Sequence, residues 1–97
     1  MSNPINYPAD YLYTLVASPD FSEDGVIFAA RRTGLYRSSD RGQSWLPVFQ
    51  SLGLETLLPT TAVALSPNFS SDRTVFAAVE GNVLRSVDGG AVSYTHL

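Results

Sequence analysis

The chain has 97 residues, with 9 acidic and 6 basic side chains, no cysteine and a formal net charge of −3. This length predicts one small domain at most. The absence of cysteine excludes disulfides, thiolate metal sites and a cysteine nucleophile. A pI near 4.7 argues against a nucleic-acid groove or an anionic membrane surface as partner, because both need a cationic protein face.

The first 18 residues contain no cationic segment followed by an apolar run, so no signal peptide is predicted. No stretch approaches the roughly 20 apolar residues of a membrane span. Met1 as an internal methionine of a longer reading frame stays open as an alternative. The sequence therefore assigns no compartment.

Seven short apolar runs, rich in β-branched and aromatic residues and bounded by turn residues, predict β-strands. The first four lie at 13–17, 26–30, 34–38 and 44–48, and the other three lie at 61–65, 74–78 and 82–86. Between the two groups, a short helical turn at 51–58 is possible, although Gly53 and Pro59 disfavour it. The chain is thus expected to be all-β.

The two groups of strands belong to a repeat with a constant offset of 48 residues. The segment SPDFSED at 18–24 aligns with SPNFSSD at 66–72, and the alignment continues without a gap to Gly42 and Gly90. Within 18–42, 12 of 25 residues are identical to their counterparts. Apolar positions are conserved in character between the two copies, so the repeated object is a packing unit.

A four-stranded repeat of about 40 to 50 residues has the period of a β-propeller blade. The fold class predicted is therefore a fragment of a β-propeller, consisting of about two four-stranded antiparallel blades. The expected organisation is an N-terminal extension (1–11), a complete first blade (12–48), a connector (49–60), an incomplete second blade (61–90) and a tail (91–97). Because a closed ring of six to eight such repeats needs about 290 to 390 residues, the isolated chain is expected to expose strand edges and to be marginally stable or aggregation-prone.

Residues 38–45 spell S-x-D-x-G-x-S-W, a pattern suited to a tight turn between the third and fourth strands. An aspartate can accept hydrogen bonds from its own turn, a glycine can adopt a positive φ, and a tryptophan ring can pack under the loop. The motif resembles the Asp-box of BNR-repeat propellers, including the sialidase-like, sortilin-like and photosystem-assembly-factor-like groups, and the resemblance covers residues 12–90. It implies a structural, not a catalytic, role for the motif residues, which are Ser38, Asp40, Gly42, Ser44 and Trp45 in the first copy and Ser86, Asp88 and Gly90 in the second.

The second copy of the motif breaks after Gly90, where Val92 and Ser93 replace the expected Ser or Thr and Trp. The last six residues, VSYTHL, look like the translation of a sequencing transposon adaptor, so residues 91–97 are predicted to be a non-native tail. A diverged final strand is the alternative. The only histidine, His96, lies in this tail, which leaves no imidazole for a triad or a zinc site.

Three further groups of residues are candidate binding sites. The acidic loop at 20–25 has oxygen ligands for calcium, but an ordinary interstrand turn is favoured because its repeat partner does not keep the charge. An arginine cluster is read as a solvated strand end in preference to an anion site, and three tyrosines are read as packing or edge residues in preference to a sugar platform. These residues are Arg31, Arg32, Arg37 and Arg41, and Tyr7, Tyr11 and Tyr13.

From the resemblance, the expected function is that of a non-catalytic binding or scaffold propeller, with a protein or glycan ligand bound by the full propeller. The resemblance also suggests an extracellular or periplasmic location. No catalytic, cofactor-binding or metal-binding residue is predicted, and neither nucleic acid nor a membrane span is expected. The alternative is a propeller glycoside hydrolase, sialidase-like or xyloglucanase-like, whose carboxylate pair or tyrosine and arginine set would lie in other blades.

Overall fold

A computed structural model describes residues 11–48 and 58–90, together with the backbone of residues 95–96. The described part is mostly β and forms two antiparallel sheets with strand orders β1-β2-β3-β4 and β5-β6-β7-β8. The first sheet contains β1 (Leu12–Ala17), β2 (Ile27–Arg31), β3 (Gly34–Ser38) and β4 (Leu46–Pro47). The second contains β5 (Thr60–Leu65), β6 (Val75–Val79), β7 (Asn82–Ser86) and β8 (Thr95–His96), and one-turn helices α1 (Phe21–Asp24) and α2 (Phe69–Asp72) join the first two strands of each sheet.

The three long strands of each sheet lie within one residue of their predicted bounds, and both hairpin strands β3 and β7 match them at each end. The prediction of a strand over 44–48 is wrong in extent, because β4 has only two residues. Its first two predicted residues, Ser44 and Trp45, are instead bonded back into the preceding turn, to Asp40 and Gly42. The possible helical turn at 51–58 lies outside the described residues, apart from Leu58.

Both one-turn helices stand where the sequence predicted only turns. Each ends at a residue in the left-handed conformation, Gly25 (φ 64°) after α1 and Arg73 (φ 56°) after α2. The backbone N–H of that residue bonds to the carbonyl of Phe21 or Phe69, which closes the single turn. None of the helices in the described ranges has the length and apolar content needed to cross a bilayer.

The 48-residue repeat extends to irregular features of the backbone. The pairing of β1 with β2 shifts register between Leu12 and Thr14, and the pairing of β5 with β6 shifts between Thr60 and Ala62. A β-bulge at the same place in both sheets bends the first strand of each in the same way. The two sheets are therefore equivalent units in backbone as well as in sequence.

The two sheets pack face to face with their equivalent faces pointing in the same direction. Because side chains alternate along a strand, each sheet has a front face and a back face. The front face of the first sheet carries Phe28, Ala30 and Leu35, and the equivalent front face of the second carries Phe76, Ala78 and Val83. The back faces carry Leu15, Ala29 and Tyr36 in the first sheet and Val63, Ala77 and Leu84 in the second.

The hydrophobic core lies between the front face of the first sheet and the back face of the second. Phe28 and Phe69 are its largest members and meet edge to face, with ring centroids 6.0 Å apart. Its buried members are Val26, Phe28, Ala30, Leu35, Val48, Val63, Phe69, Val75, Ala77, Val79 and Leu84. A front-to-back arrangement of this kind uses a different surface of each unit, so within residues 11–48 and 58–90 the back of the first sheet and the front of the second have no sheet packed on them.

Three polar contacts fasten the sheets at the margins of this core. Arg37 Nη1 donates to the carbonyl oxygen of Gly89 at 2.7 Å, and Thr14 Oγ1 donates to the carbonyl oxygen of Thr61 at 3.1 Å. The Ser70 hydroxyl donates to the Asp20 carboxylate. The contacts join residues 47 to 52 positions apart and fix the register of one unit on the other.

Candidate functional site

The turn at residues 38–45 is organised around the carboxylate of Asp40. Its Oδ1 accepts the backbone N–H of Ser44 at 2.9 Å and the hydroxyl of Ser38 at 2.8 Å, and its Oδ2 accepts the hydroxyl of Ser44 at 2.5 Å. Both oxygens are thus used inside the turn. The carboxylate bridges the end of β3 to the residue that precedes Trp45.

Ser38 provides the second half of the turn. Its buried Oγ accepts the backbone N–H of Gly42 at 2.8 Å and that of Asp40 at 3.3 Å while donating to the Asp40 carboxylate. Gly42 adopts a φ of 91°, which suits a residue without Cβ. The Trp45 Nε1–H donates to the Gly42 carbonyl at 3.0 Å, so the half-buried indole lies under the loop.

These hydrogen bonds lower the pKa of Asp40 from 3.8 to about 2. The Ser44 hydroxyl contributes most, followed by the Ser44 backbone N–H and the Ser38 hydroxyl. Donors that bind the charged form stabilise it relative to the acid. Asp40 is therefore a carboxylate over the whole physiological range of pH.

The pKa shift predicts acid sensitivity of the fold. A carboxylate whose pKa is depressed in the folded state stabilises that state above its unfolded pKa and loses this contribution as pH falls from about 4 to about 2. Replacement of Ser44 by alanine removes the largest cause, so we expect the pKa of Asp40 to rise toward its ordinary value. An NMR titration of the Asp40 side-chain carbon measures it.

The matched control is Ser39→Ala, because Ser39 is exposed, adjacent to Asp40 and absent from the Asp40 hydrogen bonds. It should leave the titration midpoint of Asp40 unchanged. An unchanged midpoint in Ser44→Ala would contradict the assigned cause.

The second copy of the turn repeats the first as far as Gly90. The Ser86 hydroxyl donates to the Asp88 carboxylate at 2.6 Å and accepts the backbone N–H of Gly90 at 3.0 Å. Gly89 and Gly90 both have positive φ, 75° and 82°. Residues 91–94 lie outside the described residues, and the predicted tail enters the structure only as β8, whose backbone pairs with β7.

Each helical turn is also held by a hydrogen bond from a serine hydroxyl to an aspartate carboxylate. We call such a serine–aspartate contact a clasp, and this pair of clasps was not predicted from the sequence. Ser18 Oγ donates to Asp24 Oδ2 at 2.7 Å, and Asp24 Oδ1 accepts the Val26 N–H at 2.9 Å. Ser66 and Asp72 repeat the first contact at 2.7 Å. The signal was present, because both the serine and the aspartate are identical across the 48-residue offset.

The hydrogen bonds to Asp72 lower the pKa of that carboxyl as well. The Ser66 hydroxyl is the main cause, and the backbone N–H of Thr74, which reaches Asp72 Oδ1 at 3.0 Å, is the next. Both copies of the unit therefore hold a carboxylate in its charged form by hydroxyl and amide donors.

In each unit, the residue that ends the one-turn helix contacts the turn after the third strand. The first unit has glycine at the helix end and arginine in the turn, whereas the second has arginine at the helix end and glycine in the turn. In the first unit the Arg41 N–H bonds to the Gly25 carbonyl at 3.0 Å, and in the second the Gly89 N–H bonds to the Arg73 carbonyl at 2.9 Å. Position 25 aligns with 73 and position 41 with 89. A Cβ on Gly25 would lie 3.2 Å from Cγ of Arg41, so a side chain at position 25 would require the Arg41 side chain to shift.

In both units the arginine lies over the ring of the equivalent phenylalanine. The arginine belongs to the turn after the third strand in the first unit and to the helix end in the second. The guanidinium of Arg41 lies 5.3 Å from the centre of the Phe21 ring, and that of Arg73 lies 5.9 Å from the centre of the Phe69 ring. Both are within the range of a cation–π interaction. Phe21 and Phe69 are equivalent residues, so the exchange conserves the contact.

A hollow of about 340 Å³ lies beside the first turn. It contains three carboxylates and one guanidinium, and two of the carboxylates are occupied by the clasps described above. Within the described ranges, no group of three or more acidic, histidine or cysteine residues has a metal-binding arrangement. The residues that form the hollow are Glu23, Asp24, Gly25, Ser39, Asp40, Arg41 and Gln43.

The predicted arginine cluster is not one cluster in the structure. Arg37 crosses to the second sheet, Arg41 covers Phe21 and donates to the Ser22 carbonyl, and Arg31 lies 4.9 Å from the ring of Tyr36. Each has a structural contact within the fold.

Tyr11 precedes β1 and Tyr13 lies in it, at the edge of the first sheet. Tyr11 and Tyr13 are exposed, with ring centroids 6.5 Å apart and planes inclined at 46°, and Tyr7 lies outside the described residues. Inclined rings do not form the flat surface on which a sugar stacks.

Searches against protein-family models, curated proteins and solved structures find no match for this chain.

Proposed function

We propose that the chain is a segment of a non-catalytic Asp-box repeat propeller that acts as a binding or scaffold module. The turn at 38–45 carries this proposal. Its only carboxylate, Asp40, has both oxygens engaged within the turn and a pKa of about 2. A group of this kind is deprotonated at neutral pH and cannot act as a general acid there, and both of its oxygens already accept hydrogen bonds from the turn.

The propeller part of the proposal is supported by the way the two units pack. The first unit is a four-stranded antiparallel meander, the second repeats its three long strands, and the front of the first unit lies on the back of the second. A unit that contacts its neighbour through two different faces can be repeated many times with the same interface. Radial repetition of four-stranded sheets is the architecture of propellers.

The non-catalytic part is tested with fluorogenic glycosides. Because the hydrolase alternative places its catalytic residues in other blades, the assay uses the protein encoded by the complete reading frame. We expect this protein to release no methylumbelliferone from a sialoside or a β-cellobioside above the rate of buffer alone. Release that disappears when a carboxylate pair of another blade is replaced by amides, while Asp40→Asn keeps it, would contradict the proposal and favour the hydrolase alternative.

The propeller part is tested on the genomic DNA that encodes the chain. Long genomic reads that contain the codons for residues 28–35 and extend beyond both ends of the chain are expected to reveal further units with the 48-residue period. The total number of units is expected to be about six to eight. A reading frame with these two units alone would contradict the propeller proposal.

A further inference from the structure

Two apolar sheet faces of the described structure have no sheet packed on them. One is the front face of the second sheet, which forms a shallow depression of about 140 Å³ lined by Ala62, Ala64, Phe76, Ala78 and Val83. The other is the back face of the first sheet, where Leu15 is 56% exposed. An apolar sheet face that lies open in this way is typical of an interaction surface.

The buried interface inside the chain shows what each open face is suited to contact. Leu15 aligns with Val63, which is 5% exposed, and Val83, which is 40% exposed, aligns with Leu35, which is 1% exposed. Val63 and Leu35 are less exposed than their repeat counterparts because the neighbouring sheet covers them. Each open face is therefore the repeat counterpart of a face that is already buried in the same molecule.

The side chains on the open faces are the same or similar in kind to those of the buried interface. On the front face, Phe76 and Ala78 are identical to Phe28 and Ala30 of the first unit. On the back face, two further pairs keep their apolar character, Leu15 and Val63, and Ile27 and Val75. Side chains like those that pack front to back inside the molecule are therefore present again on the front face of the second sheet and on the back face of the first.

The polar contacts at the margin also have counterparts on the open faces. Arg37 donates to the carbonyl of Gly89, and its counterpart Arg85 is exposed on the front of the second sheet. The counterpart of Gly89 is Arg41, which has the same left-handed backbone, with φ 66° against 75°. An Arg85 guanidinium would therefore find an equivalent carbonyl on the first unit of another molecule.

We propose that this chain associates with further copies of itself from head to tail. The front face of the second sheet of one copy packs on the back face of the first sheet of the next, with Arg85 donating to the Arg41 carbonyl. Because the two surfaces differ, the association is heterologous and continues from copy to copy until a ring closes or a fibre grows. The inference concerns the 97-residue chain, in which no further unit covers the two faces, so the light-scattering test of it can fail or succeed independently of the genomic test of the propeller proposal.

The experiment blocks one face at a time. Ala64→Glu places a charge on the front face of the second sheet, and Leu15→Glu places one on the back face of the first, at positions exposed in the single chain. The wild type is expected to show a mass in light scattering that rises with concentration above 10.5 kDa. Each variant alone has one blocked face and one intact face, so neither supports growth of the assembly, and both are expected near the monomer mass.

Mixing the two variants gives the decisive result. The intact back face of Ala64→Glu fits the intact front face of Leu15→Glu, so the mixture is expected to form a dimer of about twice 10.5 kDa and no larger species. Ser71→Glu, on the exposed surface of α2, is the charge-matched control and should associate as the wild type does. If either glutamate variant loses its circular dichroism, Ala62→Glu and Ala17→Glu replace the pair on the same two faces.

Three outcomes would overturn the proposal. They are a wild type that stays monomeric at every concentration, glutamate variants that assemble like the wild type, and a mixture that stays monomeric while the wild type assembles. Arg85→Ala gives an independent reading, because loss of a hydrogen bond from a charged donor is expected to weaken association about tenfold or more. An Arg85→Ala chain that assembles with unchanged affinity would contradict the assigned contact.

Discussion

Replacement of Phe28 by alanine is expected to lower the free energy of unfolding by about 3 to 5 kcal/mol. Phe28 is fully buried between the two sheets and meets Phe69 edge to face at 6.0 Å. Its removal deletes contacts to both units and leaves a cavity that neither rigid sheet can fill. Since a domain of this size has a net stability of only about 5 to 10 kcal/mol, most of the chain's stability is at risk. Urea denaturation of dilute protein, followed by far-ultraviolet circular dichroism, measures the loss.

The repeat provides a matched control at Phe76. It aligns with Phe28 on the same face of an equivalent strand, but it is half-buried because no sheet covers the front of the second unit. We expect Phe76→Ala to cost about 1 kcal/mol in dilute solution. Equal losses in the two variants would show that the front-to-back packing of the sheets is not the source of stability.

Replacement of Ser38 by alanine is expected to cost about 2 to 3 kcal/mol, although it removes a single oxygen atom. The buried hydroxyl of Ser38 satisfies the N–H groups of Asp40 and Gly42 and holds the Asp40 carboxylate at 2.8 Å. Alanine leaves these partners without their hydrogen bonds in a part-buried turn. The single tryptophan, Trp45, lies under this turn and reports local opening by its fluorescence.

The adjacent Ser39 is exposed and provides the comparison for the Ser38 variant. Ser39→Ala is expected to change stability by no more than about 0.5 kcal/mol, as is usual for exposed positions without special contacts. A stability loss in Ser38→Ala no larger than that of Ser39→Ala would refute the role given to the hydroxyl. The comparison separates the effect of the buried hydrogen bonds from that of helix and strand propensity.

The long strands were predictable because their signal is local. Runs such as VIFAA at 26–30 are apolar, β-branched and bounded by turn residues, and these properties favour a strand regardless of what packs on it. The fourth strand was not predictable in extent. Hydrogen bonds from the N–H and the hydroxyl of Ser44 to the Asp40 carboxylate keep the chain in the turn for two residues longer than the apolar pattern suggests.

The one-turn helices and their clasps were missed for a related reason. A helix of four residues has too few positions for a periodic pattern, and its closure depends on a serine and an aspartate six residues apart. Sequence comparison of the two units did mark both residues as identical. What it lacked was the geometry that brings Ser18 to Asp24 across the turn.

The sequence alone determined the repeat, the seven long or partial strands and the residues of the tight turns, because each depends on neighbours within a few positions. Tertiary structure decided which faces are buried, where Arg37 and Arg41 are engaged, and that the two positions at which glycine and arginine alternate between the units lie in contact. Those facts depend on residues 16 to 52 positions apart, whose contact is set by how the turns of one unit meet and by how one sheet lies on the other. Two units with the same pattern of side chains therefore differ in burial, because among the described residues the front of the first sheet is packed against the other sheet and the front of the second is not.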